Sequence, residues 1–321
     1  MRSCQPCAYV GHELQSAWFA VFSPSTTRRS SLLNTIGFVG LGTMGRPMAR
    51  NLVAAGHELV ALCRNERHRA AAVEVGARAV DRVDELAEMD AVLSIVQDSP
   101  DVLGLALGDN GLLARLRPGS LYIDLSTIRP DAALSLHEVA AQHGIDFLDA
   151  PVSGGEAAAI EGTLAIMVGG HATAVERARP ILSALGSAIV HVGGPGTGQV
   201  VKAANQLVVA GNLQVLAEAV AFLEAHHTDL SAALEVIGSG LAGSTVLLRK
   251  RESVLAGEYA PGFRLDLHHK DLGIVADAAR KHALGLPITA IVSALVAILV
   301  RRGDGNLDHS ALVALSRELN K

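Results

Sequence analysis

The chain has 321 residues, half of them hydrophobic and only 3% aromatic, with 27 basic against 32 acidic side chains and a net charge of −5. That length accommodates two domains around a largely aliphatic core. The chain has no basic block to neutralise phosphates, which argues against a nucleic-acid partner. The apolar run near the C-terminus, LPITAIVSALVAILV, falls short of the roughly 18–20 residues of a membrane span, so no membrane partner is expected.

Residues 1–34 are set apart as an N-terminal extension. They show no helical or strand period, and their apolar piece AWFAVF is too short for a secretory signal. The stretch reads as a disordered tail or an over-extended start, with an Arg- and Ser-bearing targeting peptide as the alternative. Cys4 and Cys7 form a C-x-x-C with no second ligand pair. With Cys63 they make three cysteines, a usage that suits a reducing, cytoplasmic setting better than a disulfide framework.

From Ile36 short aliphatic runs alternate with helical patterns: IGFVGLG, ELVALC, AVLSIV, LYIDLS, DFLDAP, LAIMVGG and AIVHVG. Strands alternating with helices predict a parallel, doubly wound α/β sheet covered on both faces. The alternation stops at the glycine-rich HVGGPGTG, and only helical patterns follow. With the glycine turn Gly40-x-Gly42-x-x-Gly45 after its first strand, the expected architecture is a Rossmann-type NAD(P)-binding domain over 35–198, then an all-helical domain over 199–321 for substrate and oligomerisation.

The first strand runs into Gly40-Leu41-Gly42-Thr43-Met44-Gly45, a G-x-G-x-x-G turn opening a helix and followed by a second strand at βαβ spacing. The first glycine allows the tight turn, the second lets a pyrophosphate approach the backbone, and the third lets helix pack on strand. The free amides of the helix start then face the anion. At the end of the second strand, where NAD enzymes usually carry an acid for the ribose hydroxyls, stand Cys63, Arg64 and Asn65. A guanidinium can fork onto a 2′-phosphate, so NADP(H) is expected over NAD(H). In the other reading Arg64 is a solvated surface charge and NAD(H) binds through backbone contacts.

Ser153, Gly154 and Gly155 form a turn of small residues whose amides can hold a small carboxylate as an anion nest; taken alone they are equally a tight loop. Further on, GTGQVVKAANQLVVAGN places Lys202, the first of five lysines against 22 arginines, on an apolar helix. Gln199, Lys202, Asn205 and Gln206 fall on one narrow polar stripe. The surrounding Val, Ala and Leu suggest that this helix is buried on most sides. Burial lowers a lysine pKa toward working pH, making a general acid for a carbonyl oxygen; a snorkelling or salt-bridged lysine is the alternative.

Four motifs in order, GFVGLGTMGRPMARNL, DAPVSGGEAAAIEGTLAIMVGG, GTGQVVKAANQ and HHKDLGIV, resemble the β-hydroxyacid dehydrogenase family from about residue 35 to the C-terminus. GLAGSTVL, PGFRLDLHHKDL and DHSALV resemble the branch that reduces tartronate semialdehyde. The resemblance implies a nicotinamide-dependent reductase of small carboxylate-bearing semialdehydes, with oxidation of 3-hydroxyisobutyrate or reduction of another short semialdehyde as the rival reactions. It implies that Lys202 protonates the substrate oxygen, that Asn205 orients the substrate, and that Ser153 and Gly154 hold its carboxylate. It further implies that Val96 packs beside the cofactor, that Thr127 touches the nicotinamide ribose, and that Lys270 reaches across to close the cleft. Gln206 stands where many relatives carry Asn, Val96-Gln97 where they often carry Leu-Pro, and Cys63 where the branch can carry Asp. Imine reductases resemble the family but usually replace the lysine, and a non-catalytic nucleotide-binding scaffold would have lost it; Lys202 argues against both.

Asp308, before HSALVAL, reads as a helix N-cap. The adjacent pairs His226-His227 and His268-His269 have the wrong spacing for two ligands on one helix face, so no metal is expected. The long aliphatic faces of the C-terminal helices suggest a homodimer or homotetramer.

Overall fold

A computed structural model describes residues 34–320; Cys4, Cys7 and the readings of the N-terminal extension lie outside the described residues. The first half alternates β1 (Thr35–Val39), α1 (Gly45–Ala54), β2 (Glu58–Leu62), α2 (Glu66–Glu74), β3 (Arg78–Val80), β4 (Ala91–Ser94), α3 (Ser99–Leu107), β5 (Leu121–Asp124), α4 (Pro130–Gln142) and β6 (Asp146–Asp149). It continues through β7 (Val152–Ser153), α5 (Gly155–Glu161), β8 (Leu164–Gly169), α6 (Ala172–Ser183) and β9 (Gly186–Gly193). The helical half comprises α7 (Thr197–Ala225), α8 (Leu230–Ser239), α9 (Thr245–Ala256), α10 (Leu265–Lys281), α11 (Pro287–Arg301) and α12 (Leu312–Leu319). The boundary expected at Gly198 falls in the first turn of α7.

The sheet order is β3-β2-β1-β4-β5-β6-β8-β7, with β9 paired to β8. Neighbours from β3 to β6 are parallel. The expectation of a parallel sheet throughout is corrected beyond that point: β8 runs antiparallel to β6 and β7, and β9 follows β8. The local reason is short. The chain turns back after β6 through the two-residue β7, which pairs antiparallel with β8, and the seven-residue α5, so β8 enters the sheet against the direction of β6. Strands β3 and β7 have three and two residues, too few to show a period.

Side chains alternate across each strand. Ile36 and Phe38 enter one core layer with Met48 and Leu52. Val39 enters the opposite layer with Val60, Val92 and Tyr122. A third aliphatic core joins Leu213, Val220, Leu272, Val296 and Leu312 in the helical half. At 29 residues α7 is long and apolar enough to cross a bilayer. It instead runs through the helical half, packing against β8, α10, α11 and α12. Burial on most sides, expected for this helix, is corrected: Val201, Val208, Val215 and Phe222, spaced two turns apart, are exposed.

Candidate active site

The chain order reverses between β1 and β4, so the loops leaving both strands open at one end of the sheet, where α/β proteins bind ligands. The turn after β1 is shaped by its glycines. Gly40 has φ +104°, and a Cβ there would lie 2.0 Å from the Ile95 carbonyl oxygen; one on Gly45 would lie 1.7 Å from the Gly40 oxygen. A Cβ on Gly42 meets no atom within 4 Å. Two glycines are thus demanded by packing, while the third leaves open space over the backbone, as a pyrophosphate cradle requires. No side chain caps α1; the Arg46 amide donates to the Gly42 carbonyl at 3.0 Å and Pro47 has no N–H, so Gly45 supplies the first-turn amide that can meet an anion. Leu41 is buried under the turn, Met44 packs on the same core, and Thr43 is exposed. These residues fit a dinucleotide.

Arg64 is exposed just beyond β2 and forms no hydrogen bond or ion pair among the described residues. The Asn65 side chain caps α2 by accepting from the His68 amide at 2.9 Å. In the loop after β4, Val96 is half-buried and its amide donates to Ser126 Oγ at 2.9 Å. Ser126 Oγ and Ser94 Oγ both donate to Asp124 Oδ1, at 2.7 and 2.6 Å. Burial raises Asp124 to a pKa of about 6. The serine–aspartate network ties together the loops after β4 and β5.

The helix that carries Lys202 is set from β6. Gly196 precedes α7 in the left-handed region and supplies no capping side chain. Asp149 caps in its place, accepting from the Gly196 and Gln199 amides at 2.9 Å each and pairing with His137 at 2.9 Å. The Gln199 side chain then grips both sides of Thr127. Its Oε1 accepts from the Ile128 amide at 3.1 Å and its Nε2 donates to the Ser126 carbonyl at 2.8 Å.

One turn further on, Lys202 is buried. Its Nζ donates to Gln206 Oε1 at 3.0 Å, and Gln206 Nε2 donates to Asp271 Oδ2 at 2.6 Å. Asp271 Oδ1 lies 3.0 Å from Lys270 Nζ. Desolvation lowers the Lys202 pKa to about 8; Asp271 opposes that shift and Lys270 adds to it. Both ends of the Gln206 amide are engaged, so in this arrangement it spaces Lys202 from Asp271. The longer Gln arm spans that gap. Asn205 is half-buried, and its side-chain oxygen is enclosed without a partner among the described residues.

Lys270 crosses from α10 to the sheet half, donating to the Gln97 and Thr127 carbonyls at 2.9 and 2.7 Å. In the turn of small residues Ser153, Gly154 and Gly155, Gly154 has φ +135° and Gly155 φ +68°. Arg249 of α9 donates to the Gly154 carbonyl. Asp308 caps as expected, accepting from the Ser310 amide at 3.0 Å, and also holds Lys250 and the amides of Gly262 and Phe263. His268 is paired with His309 at 3.2 Å rather than with its neighbour His269.

Sequence reasoning missed Asp124, Asp149, Asp271 and Arg249, and gave Gln199 no role beyond the polar stripe. Asp149 had one signal: GTGQ opens a long helix with no capping side chain, which calls for an acceptor from elsewhere.

Residues 35–193 match the family described as "NAD binding domain of 6-phosphogluconate dehydrogenase", and residues 196–316 the one described as "NAD-binding of NADP-dependent 3-hydroxyisobutyrate dehydrogenase". The chain is 38% identical over 283 residues to 2-hydroxy-3-oxopropionate reductase of Escherichia coli (strain K12), covering 87% of this chain and 95% of that one. It is 36% identical over 291 residues to the NAD-dependent L-serine dehydrogenase of Pseudomonas aeruginosa, covering 88% and 98%. Among solved structures, Mycobacterium tuberculosis 3-hydroxyisobutyrate dehydrogenase with L-serine superposes with a TM-score of 0.82 at 32% identity, covering 89% of this chain and 99% of that one. A dinucleotide turn at the sheet's switch point with a buried lysine on the following long helix defines a nicotinamide-dependent oxidoreductase. The chain belongs to the β-hydroxyacid dehydrogenase family of the 3-hydroxyisobutyrate dehydrogenase type.

Proposed function

We propose that this enzyme reduces 2-hydroxy-3-oxopropionate, tartronate semialdehyde, to glycerate, with Lys202 as proton donor. The observation that carries the reading is Lys202 itself, buried in the helical half with a pKa lowered to about 8. Below that pH its ammonium holds a proton to give. Above it the neutral amine can take the proton from glycerate in the reverse direction.

The nicotinamide cofactor, when bound, supplies the hydride to the aldehyde carbon. The chain's own residues do the rest. Gly40, Leu41, Gly42, Thr43, Met44 and Gly45 would hold the pyrophosphate, and Thr127, whose neighbours Gln199 grips and whose carbonyl accepts from Lys270, would meet the nicotinamide ribose. Val96, whose amide donates to Ser126, would pack beside the ring. Ser153, Gly154 and Gly155 bind the carboxylate. Asn205, three residues after Lys202 on α7, orients the substrate beside the lysine. Lys202 then gives its proton to the forming alkoxide, and Gln206, tied to Asp271, keeps the ammonium in place. Lys270 holds the two cofactor loops against the helical half.

The choice of substrate is supported by the 38% identity to the Escherichia coli reductase and by GLAGSTVL, PGFRLDLHHKDL and DHSALV in the helical half. The unpaired Arg64 favours NADPH. Val201, Val208, Val215 and Phe222 of α7 and Ile288, Ile291 and Ile298 of α11 are exposed on two helices that pack together, apolar surface that suits a homodimer or homotetramer. A cytoplasmic setting accords with the buried free thiol of Cys63.

Steady-state oxidation of NADPH and of NADH with tartronate semialdehyde, beside methylmalonate, succinic and glyoxylic semialdehydes, tests the reading. Fastest turnover with tartronate semialdehyde is expected. Preference for methylmalonate semialdehyde would move the enzyme to 3-hydroxyisobutyrate, and no turnover with any of them would overturn the reading.

A further inference from the structure

We propose that Arg249 is a positioning residue for the substrate carboxylate, acting through the peptide between Gly154 and Gly155. The inference rests on Ser153–Gly155 being the carboxylate loop. It adds a determinant from a helix that the carboxylate motif does not contain.

Helix α9 carries three consecutive cations. Lys250 pairs with Asp308 at 2.8 Å and Arg251 with Glu235 at 3.3 Å. Arg249 pairs with no carboxylate among the described residues. Its Nη1 donates instead to the Gly154 carbonyl, 95 residues away in the chain. Of the three charges, the one left uncompensated is the one that reaches the carboxylate loop.

The contact falls on a peptide that needs holding. Both flanking residues are glycines at positive φ, +135° and +68°, and glycine offers little steric resistance to turning such a peptide over. A trans peptide is planar, with carbonyl and amide pointing in opposite directions. Fixing the Gly154 oxygen therefore fixes the Gly155 N–H on the opposite edge. A charged donor on the carbonyl also polarises that amide and strengthens it as a donor to an anion. The positive charge raises the local potential for an acidic substrate. Arg249 thereby makes the loop selective for aldehydes that bear a carboxylate over neutral ones.

The test compares the full-length protein with Arg249→Ala and Arg249→Lys. Glycolaldehyde serves as the control because it is tartronate semialdehyde without the carboxylate. For Arg249→Ala, KM for tartronate semialdehyde rises roughly tenfold, the scale of one lost charged hydrogen bond. Its kcat, its KM for NADPH and its kcat/KM for glycolaldehyde stay near wild type, and Arg249→Lys recovers part of the loss. An unchanged KM for the acid, or equal losses with acid and glycolaldehyde, overturns the assignment. Calorimetric binding of tartronate to the NADPH-saturated protein needs no turnover. Roughly tenfold weakening in Arg249→Ala is expected there, and equal affinity, or no binding to wild type, overturns the assignment. A wild type inert toward every aldehyde that still binds tartronate through Arg249 would overturn the proposed reaction and leave this assignment standing.

Discussion

The glycine turn after β1 and the lysine site on α7 are built on opposite plans. The turn is local: six consecutive residues, two of them forced to glycine by carbonyl oxygens 2.0 and 1.7 Å from a would-be Cβ, present backbone to the ligand. The lysine site is assembled from distant side chains. Gln206 meets Asp271 across 65 residues, and Lys270 meets Thr127 and Gln97 across 143 and 173. A local plan fails through backbone and packing. An assembled one fails through charge and alignment, with the fold left intact.

The sharpest way to test that contrast is Lys202→Met, which keeps the apolar length and removes the ammonium. Turnover should fall by about 10²–10⁴, the usual contribution of a positioned acid, while NADPH binding followed by fluorescence stays near wild type. Stability should move the other way. In the unfolded chain this lysine keeps its proton up to its ordinary pKa of 10.5, whereas the folded protein releases it near 8. Folding therefore disfavours the ammonium below pH 8, and the penalty fades as pH rises from 8 to 10.5. A lowering of that size corresponds to about 3 kcal/mol. Urea unfolding at pH 7 should show Lys202→Met stabilised by up to that amount, with the gain shrinking by pH 10. A destabilised Met variant would mean that the buried lysine is fully compensated by Asp271.

In the glycine turn the expected pattern is reversed. Gly45→Ala drives a Cβ into the Gly40 carbonyl and should cost at least about 2 kcal/mol of stability, at the upper end of overpacking. Gly42→Ala meets nothing, so its stability should change by less than about 0.5 kcal/mol, as at an open surface position. Its methyl would instead stand in the pyrophosphate's path and weaken NADPH by roughly tenfold or more, the loss of one charge-assisted hydrogen bond. Thermal unfolding and NADPH titration of the two variants separate the roles. A Gly42→Ala protein that binds NADPH normally would remove the pyrophosphate from that backbone.

The same contrast explains what could be read from the chain. Gly40, Gly42 and Gly45 were legible because their requirement is expressed within one turn, and the central strands β1, β2 and β4 because each is a largely aliphatic run. Lys202 stood out as a lone charge in an apolar helix. Asp271 looked like any helix acid, and Asp149 like any strand end, until folding placed Gln206 against one and the start of α7 on the other. The exposed valines of α7 misled in the opposite sense, since an apolar side chain looks the same facing a core or a surface. The turn back through β7 and α5 was hidden by its shortness.

A smaller effect within the assembled site is the pH profile of Asp271→Asn. Asp271 raises the Lys202 pKa against the desolvation that lowers it to about 8. Removing its charge while keeping the amide contact to Gln206 should lower the lysine pKa further. In wild type, kcat/KM for aldehyde reduction should fall as pH rises through about 8, where Lys202 loses its proton, and glycerate oxidation should rise through the same range. In Asp271→Asn both transitions should move to lower pH with NADPH affinity unchanged. Transitions that stay in place would assign the profile to another group.

The smallest expected effect returns to the nucleotide end, at a side chain that holds no part of the fold. Arg64 is exposed and unpaired, while its neighbour Asn65 is committed to capping α2. Removing Arg64 therefore disturbs no fold contact, and any change in cofactor use reports its charge. A guanidinium on a 2′-phosphate at an exposed site is worth about 1.5 kcal/mol, close to tenfold in affinity. Arg64→Ala should raise KM for NADPH by about that factor and leave KM for NADH unchanged, with the NADPH effect shrinking as salt is added. Losses on both cofactors would place Arg64 against the adenosine common to them. No change on either would leave it a solvated charge, with cofactor preference set by the backbone that Cys63 and Asn65 present.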